Sequence, residues 1–116
     1  MGWLFNPSWQ NKADVIAHVT EEYHTFKTLR SCVRGNILWA LHWLRRTSGE
    51  EIQFITCYLL KKTNGHWGYK DMDETVGPFY YSCPLSYLDA AGDPSNELSA
   101  RWRKKVRTYH AQRRSA

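Results

Sequence analysis

Residues 36–60 read NILWALHWLRRTSGEEIQFITCYLL, and this stretch decides how the chain folds. Its first half is apolar at most positions, so a buried helix and a buried strand are both compatible with it. The turn residues Thr47-Ser48-Gly49-Glu50 follow, and the IQFITCYLL run after them is rich in the β-branched and aromatic residues that strands favour. Two such runs joined by a short glycine-containing turn predict a long antiparallel hairpin, which we favour over the helix.

Strand signals continue on both sides of this hairpin. Leu29 to Arg34 predicts a strand that ends before Gly35. On the other side, Asn64-Gly65 is the dipeptide most typical of a tight hairpin turn, and residues 67–70 predict a returning strand. The apolar stretch from Met1 to Phe5 is followed by polar turn residues and suits a brief strand or an anchored N-terminus. We therefore predict an antiparallel sheet of three to five strands and leave their order open.

Three helices are predicted around this sheet. Asn11 can cap a helix over Lys12 to His24, in which apolar residues recur at helical spacing. Ser82-Cys83-Pro84 opens a second helix, because the amide hydrogen that proline lacks has no partner in a first turn. A third helix, over about residues 95–112, has one apolar stripe and otherwise basic faces. The stripe consists of Leu98, Trp102, Val106 and Tyr109.

The predicted fold class is therefore α+β, with an antiparallel sheet packed against one N-terminal helix and two C-terminal helices. A chain of 116 residues has room for a single core, so we predict one domain over residues 1–116. No apolar run approaches the roughly 20 residues that a membrane span requires. The first residues also lack the pattern of a signal peptide, so we expect no membrane association and a cytoplasmic location in a host cell.

The net charge of +5 comes from the C-terminal segment. Residues 1–100 hold nine of the sixteen lysines and arginines and all eleven acids. The last sixteen residues carry seven basic side chains and no acid, which exceeds what the negative end of a helix dipole requires. We therefore predict that this helix contacts nucleic acid or an acidic partner. The predicted contact residues are Arg101, Arg103, Lys104, Lys105, Arg107, Arg113 and Arg114.

Three cysteines, Cys32, Cys57 and Cys83, are 25 and 26 residues apart and lack the paired spacing of a zinc site. An odd number of thiols in a cytosolic chain is typical of reduced, buried cysteines. Cys83 has a second interpretation, because a helix start can lower a thiol pKa and make the group reactive. We favour a capping or packing role, since no histidine or asparagine is visibly placed to pair with it. We expect no metal, no disulfide and no cofactor.

The densest group of reactive residue types is Asp71, Asp73 and Glu74, which follow Trp67 and Tyr69. Three carboxylates in four residues can bind Mg²⁺ or Ca²⁺, act as acid and base, fix a loop or form a contact surface. The ligand spacing of a calcium loop is absent, so we rank the last two roles above the others. Three consecutive rings at residues 79–81 cannot all lie on one buried face. The predicted partner-binding residues are Trp67, Tyr69, Asp71, Asp73, Glu74, Tyr80 and Tyr81.

Four motifs carry a resemblance to a known family: MGWLF at residues 1–5, CVRGNILW at 32–39, WGYKDMDE at 67–74 and GPFYYSCP at 77–84. They resemble a family of small proteins of unknown function encoded by phages and other mobile elements. The resemblance covers most of the chain and implies no catalytic residues. It implies a setting in which small accessory proteins often bind and block host defence machinery, including CRISPR effectors.

These observations lead to a functional hypothesis and one alternative. We expect a non-enzymatic interaction protein that inhibits a host defence complex by binding its surface, as anti-CRISPR proteins do. Its partner would be a host protein or ribonucleoprotein, with weak binding to nucleic acid. The alternative is a small nucleic-acid-binding module that uses the basic C-terminal helix. An enzyme ranks last, because no complete nucleophile and base pair or metal-ligand pattern is present. The oligomeric state stays open.

Overall fold

The fold is seen in a computed structural model that describes residues 2–22, 26–72, 81–91 and 100–115. These ranges form one antiparallel sheet with the strand order β1-β5-β4-β3-β2, together with three helices. The predicted α+β fold class is therefore confirmed. The elements in chain order are β1 (Leu4–Phe5), α1 (Lys12–Val19), β2 (Phe26–Arg34), β3 (Ile37–Arg45), β4 (Glu51–Thr63), β5 (His66–Asp71), α2 (Leu85–Ala90) and α3 (Ala100–Ser115).

The central hairpin is formed by β3 and β4, as the sequence predicts. Its register runs without interruption from Arg45 opposite Glu51 to Ile37 opposite Leu59. The next turn has Asn64 and Gly65 at φ values of 53° and 82°, the left-handed backbone that an Asn-Gly hairpin turn requires. This turn brings β5 back along β4, so the local signals account for the three middle strands of the sheet.

Consecutive strand residues point to opposite sides of the sheet, which creates two faces of different composition. We define face A as the side of Trp39 and face B as the side of His42. Helices α2 and α3 pack on face A, and α1 packs on face B. The buried core of face A consists of Ile37, Trp39, Leu41, Ile55, Cys83, Tyr87, Leu88, Ala91, Trp102 and Val106. The buried core of face B that α1 covers consists of Val15, Leu38 and Leu60.

Helix α1 begins where the sequence predicts and ends earlier. The Asn11 side chain accepts a hydrogen bond from the Asp14 amide at 3.0 Å, and Asp14 accepts one in return from the Asn11 amide, which forms a capping box. The predicted extension to His24 is wrong, because the helix ends at Val19. There the amide and the hydroxyl of Thr20 both donate to the Ile16 carbonyl oxygen and close the last turn.

The two edge strands depend on features that the sequence pattern does not reveal. Strand β1 pairs with β5, and a side chain at Gly68 would collide with the Phe5 ring that lies over it. Strand β2 begins at Phe26 rather than at the predicted Leu29. Its register with β3 shifts between Thr28 and Arg30, so Leu29 forms a β-bulge.

Helix α3 buries Trp102 and Val106, as predicted from its apolar stripe, and leaves Tyr109 half-buried. It extends to Ser115, beyond the predicted end near residue 112. Leu98 and the predicted helix start lie outside the described residues. In the described ranges, every helix is too short or too polar to cross a bilayer.

Candidate binding surfaces

The three thiols lie in the core of face A. Cys32 and Cys57 are opposite Trp39 on its two neighbouring strands, and Cys83 is fully buried at the start of α2. Burial raises the pKa of Cys57 and raises the pKa of Cys83 to about 12. The interpretation of Cys83 as a reactive thiol is therefore wrong, because burial outweighs the helix start. The packing role that we favoured fits all three cysteines, which are free thiols.

The segment before α2 is held from both sides. The indole N–H of Trp39 donates to the Ser82 hydroxyl at 2.8 Å. A ring N–H of His110 on α3 donates to the Cys83 carbonyl oxygen at 2.9 Å. These bonds satisfy polar atoms inside an otherwise apolar layer, so this segment and α3 are fixed against the sheet together.

His42 is a buried titratable group that the sequence analysis did not single out. Its ring lies on face B between Phe26 and Phe54, with ring centroids 4.6 and 5.0 Å away. Nδ1 is 3.0 Å from the Thr28 hydroxyl and Nε2 is 2.7 Å from the Thr56 hydroxyl. Burial lowers the pKa of His42 to about 4, so the ring is neutral at pH 7.

This histidine has the contacts of a structural group. The Thr28 hydroxyl donates to the Thr20 carbonyl oxygen, so it can only accept from His42 Nδ1. Nε2 then accepts from Thr56, and the neutral ring is satisfied on both sides. Both threonines are fourteen residues from His42 in the chain. The register of β3 with β2 and with β4 is the signal that could have identified these threonines as neighbours of His42.

The acidic cluster is only partly described. Asp71 lies exposed at the end of β5, and Asp73 and Glu74 lie outside the described residues. In the part of the chain that the structure describes, no group of three or more histidine, cysteine, aspartate or glutamate residues could hold a metal ion. The contact and loop-fixing roles of the cluster therefore stay predictions.

The predicted aromatic anchors lie on different surfaces. Trp67 and Tyr69 are half-buried on face B. The centroid of the Tyr69 ring is 5.8 Å from that of Trp9 and 5.6 Å from that of Tyr58. Tyr81 instead packs against α3, and 40% of its surface is exposed. Tyr80 lies outside the described residues. Of the described candidates, Tyr81 is therefore the exposed ring beside the basic helix.

Three of the predicted basic contacts on α3 have internal partners. The Arg103 guanidinium donates to the carbonyl oxygens of Leu88 and Ala91 at 3.1 and 3.0 Å, where it caps the end of α2. Arg107 forms an ion pair with Asp89 at 2.7 Å. The third, Arg113, donates to the Tyr109 hydroxyl at 2.8 Å and lies over that ring. These arginines are held by the fold before any partner arrives.

The rest of the helix presents charge to solvent. Lys104, Lys105 and Arg114 are exposed, and Arg101 lies on the first turn of α3. The ring centroids of Tyr81 and Tyr109 are 5.1 Å apart, and the Arg113 guanidinium lies 5.6 Å from the Tyr109 centroid. We define the α3 surface by its exposed cations and this aromatic group: Lys104, Lys105, Arg107, Arg114, Tyr81, Tyr109 and Arg113.

The sheet adds further charge to the same side of the molecule. By strand register, face A carries most of the cations in the described strands, while face B carries Lys62 and Asp71. Glu51 is the acid that the described strands place on face A, and it pairs with Arg45 at 2.6 Å. The side of the sheet that binds α2 and α3 is therefore strongly positive. The sheet cations on face A are Lys27, Arg30, Arg34, Arg45, Lys61 and Lys70.

Comparisons of this chain with models of protein families, with curated proteins and with solved structures gave no match. The resemblance to a family of small proteins encoded by phages and other mobile elements therefore stays a prediction.

Proposed function

We propose that this chain is a non-enzymatic interaction protein of a phage or mobile element, and that it inhibits a host defence complex by covering part of its surface. The observation that carries the proposal is the α3 surface, which combines exposed cations with a partly exposed ring. Such a surface suits a partner that is anionic and also offers a pocket for an aromatic side chain. A host ribonucleoprotein meets both requirements, because it presents phosphates and protein together.

The Tyr81 ring has the properties of an interface anchor. It is 40% exposed, so much of its area is available to a partner. It also packs against Tyr109, whose hydroxyl accepts a hydrogen bond from Arg113. A ring that is already held loses little conformational entropy on binding, so more of its contact energy appears as affinity.

The internal bonds of the arginines favour this proposal over the alternative of a nucleic-acid-binding helix. A helix that follows a phosphate backbone uses mobile cations that release counterions from many phosphates. On α3, the guanidinium groups of Arg103, Arg107 and Arg113 already bond to α2 or to Tyr109. We therefore expect charge on this helix to steer encounter with a partner and the rings to hold it.

Inhibition of purified defence complexes tests the proposal. We expect the wild-type chain to block target cleavage by at least one effector from a panel of purified CRISPR ribonucleoproteins. Tyr81→Ala should weaken that inhibition by tenfold or more, as loss of an interface anchor does. The double change Lys104→Glu with Lys105→Glu should slow association and weaken its dependence on salt. Lys62→Glu, an exposed change on face B, is the matched control.

A second experiment separates the alternative function. A pull-down from host lysate, run with and without nuclease, should retain its protein partner after nuclease treatment. Nanomolar binding to a defined naked DNA or RNA, abolished by charge reversal at the exposed Lys104, Lys105 and Arg114, would instead favour the nucleic-acid-binding module. Such binding should fall by roughly a hundredfold or more between 50 and 200 mM salt.

A further inference from the structure

A second cationic surface lies on β2 and the end of β3. It exists because of the β-bulge at Leu29. In a regular strand, Lys27 and Arg30 would point to opposite faces. The extra residue places Lys27 opposite Trp43 and Arg30 opposite Leu41, so both cations lie on face A with Arg34. Bulges are common where a strand must redirect a side chain.

An aromatic ring lies beside this row of cations. Trp43 is half-buried on face A and is not part of the buried core beneath α2 and α3. The Lys27 ammonium is 5.2 Å from its ring centroid and the Arg45 guanidinium is 5.4 Å away. Lys27, Arg30, Arg34 and Arg45 are all exposed. We define the β2 surface by these five residues.

We propose that the β2 surface binds single-stranded nucleic acid without sequence preference. A base stacks on the Trp43 ring, and Lys27, Arg30 and Arg34 bind phosphates along the strand. Lys27 lies on an exposed, flexible side chain, so it can move from the ring to a phosphate when a base takes its place. Stacking on an aromatic ring next to cations is the arrangement that binds single strands irrespective of sequence.

The same features disfavour an acidic peptide and a duplex. An extended peptide would add to the outer edge of β2 by backbone hydrogen bonds, but a bulge and a row of cations are features that prevent strand addition. In a duplex the bases are stacked on one another, so no base face is free to stack on the Trp43 ring. The combination of ring, cations and interrupted edge therefore selects an unpaired strand.

Binding of a fluorescein-labelled oligothymidylate, followed by fluorescence anisotropy, tests this assignment. We expect Trp43→Ala to lower affinity about tenfold and Trp43→Phe to retain most of it, since phenylalanine can also stack. Replacing Lys27, Arg30 and Arg34 together by glutamine should make the dependence of affinity on salt less steep. The magnitude of the negative slope of log binding constant against log salt should fall by about 2, the value for three phosphates on a single strand. Circular dichroism checks that each variant folds.

Three controls decide the outcome. Lys62→Gln, on face B, should bind like the wild type, and a duplex of the same length should bind more weakly. If Trp43→Ala and the triple glutamine variant fold and both bind the oligonucleotide like the wild type, the proposal is overturned. Equal displacement of the oligonucleotide by polyglutamate would assign the surface to an acidic protein and overturn it as well. Because the β2 surface and the α3 surface share no residue, inhibition of a defence complex can be lost or retained independently.

Discussion

The two faces of the sheet are built from alternate residues of the same strands, yet they are stabilised by different chemistry. On face A, the core beneath α2 and α3 is made of apolar side chains, and the polar groups Trp39 Nε1 and Ser82 Oγ bond to each other. On face B, β3 buries His42, which depends on two threonine hydroxyls. Apolar side chains do not titrate, whereas a buried imidazole can take up a proton and become charged. We therefore expect the contribution of face A to stability to depend on side-chain volume, and the contribution of face B to depend on pH.

The largest effect is expected from a cavity in face A. Trp102 on α3 is 6% exposed, and its ring centroid is 6.0 Å from that of Trp39. Trp102→Ala should lower the free energy of unfolding by about 3 to 5 kcal/mol, measured by urea denaturation at pH 7. Lys105→Ala on the exposed side of α3 is the control and should change stability little. If Trp102→Ala unfolds at the urea concentration of the wild type, the helix does not anchor to face A.

Acid should destabilise the protein through face B. The pKa of His42 is about 4 in the folded chain and 6.5 in the unfolded chain, so the unfolded state takes up the proton first. The stability that this difference contributes is fully present above pH 6.5 and is lost as the pH falls towards 4. The loss amounts to about 3 kcal/mol, which urea denaturation at pH 7 and pH 4 should detect.

A variant without the imidazole separates this effect from general acid unfolding. His42→Leu should be less stable at pH 7, because Thr28 and Thr56 lose their partner. It should also lose most of the pH dependence between 6.5 and 4. His18→Gln, which changes an exposed histidine on α1, should keep the dependence of the wild type. If the stability of His42→Leu depends on pH as that of the wild type does, His42 is not the source of the pH dependence and the contrast between the two faces is wrong.

A smaller effect is expected at the β1 edge. A Cβ atom at Gly68 would lie 2.5 Å from the Leu4 carbonyl oxygen and would also collide with the Phe5 ring. Gly68→Ala should therefore displace β1 and cost about 1 to 3 kcal/mol, the usual cost of overpacking. Amide hydrogen exchange at Phe5 and Tyr69 would show whether β1 detaches while the rest of the sheet keeps its protection. Gly2→Ala, where the new methyl group meets nothing within 4 Å, is the control.

The predictable part of the fold is the part made of local contacts. The β3 and β4 hairpin and the Asn64-Gly65 turn connect residues that are close in the chain, so pattern and turn chemistry identify them. The pairing of β1 with β5 joins residues more than sixty positions apart and leaves no such signal. The end of α1 was predicted too late, because the role of Thr20 depends on its hydroxyl bonding back to Ile16.

The candidate surfaces were predictable in composition and not in geometry. The basic C-terminal helix is evident from the charge of its residues, but the bonds of Arg103 to the end of α2 depend on how two helices pack. The β2 surface was missed for a different reason. Strict alternation assigns Lys27 and Arg30 to opposite faces, and only the observed register reveals the bulge that unites them.

The smallest effect is expected from reductant and chelator, which test whether face A is held by packing alone. Cys32, Cys57 and Cys83 are free thiols in that core, and the pKa of Cys83 is raised to about 12 by burial. Neither a reducing agent nor a metal chelator should shift the thermal midpoint, and a thiol reagent should label Cys83 only after unfolding. Complete labelling in urea is the control that all three thiols are reduced. A drop of more than a few degrees with either agent would mean that a covalent or metal crosslink contributes to face A, and the contrast between an apolar face and a proton-sensitive face would no longer hold.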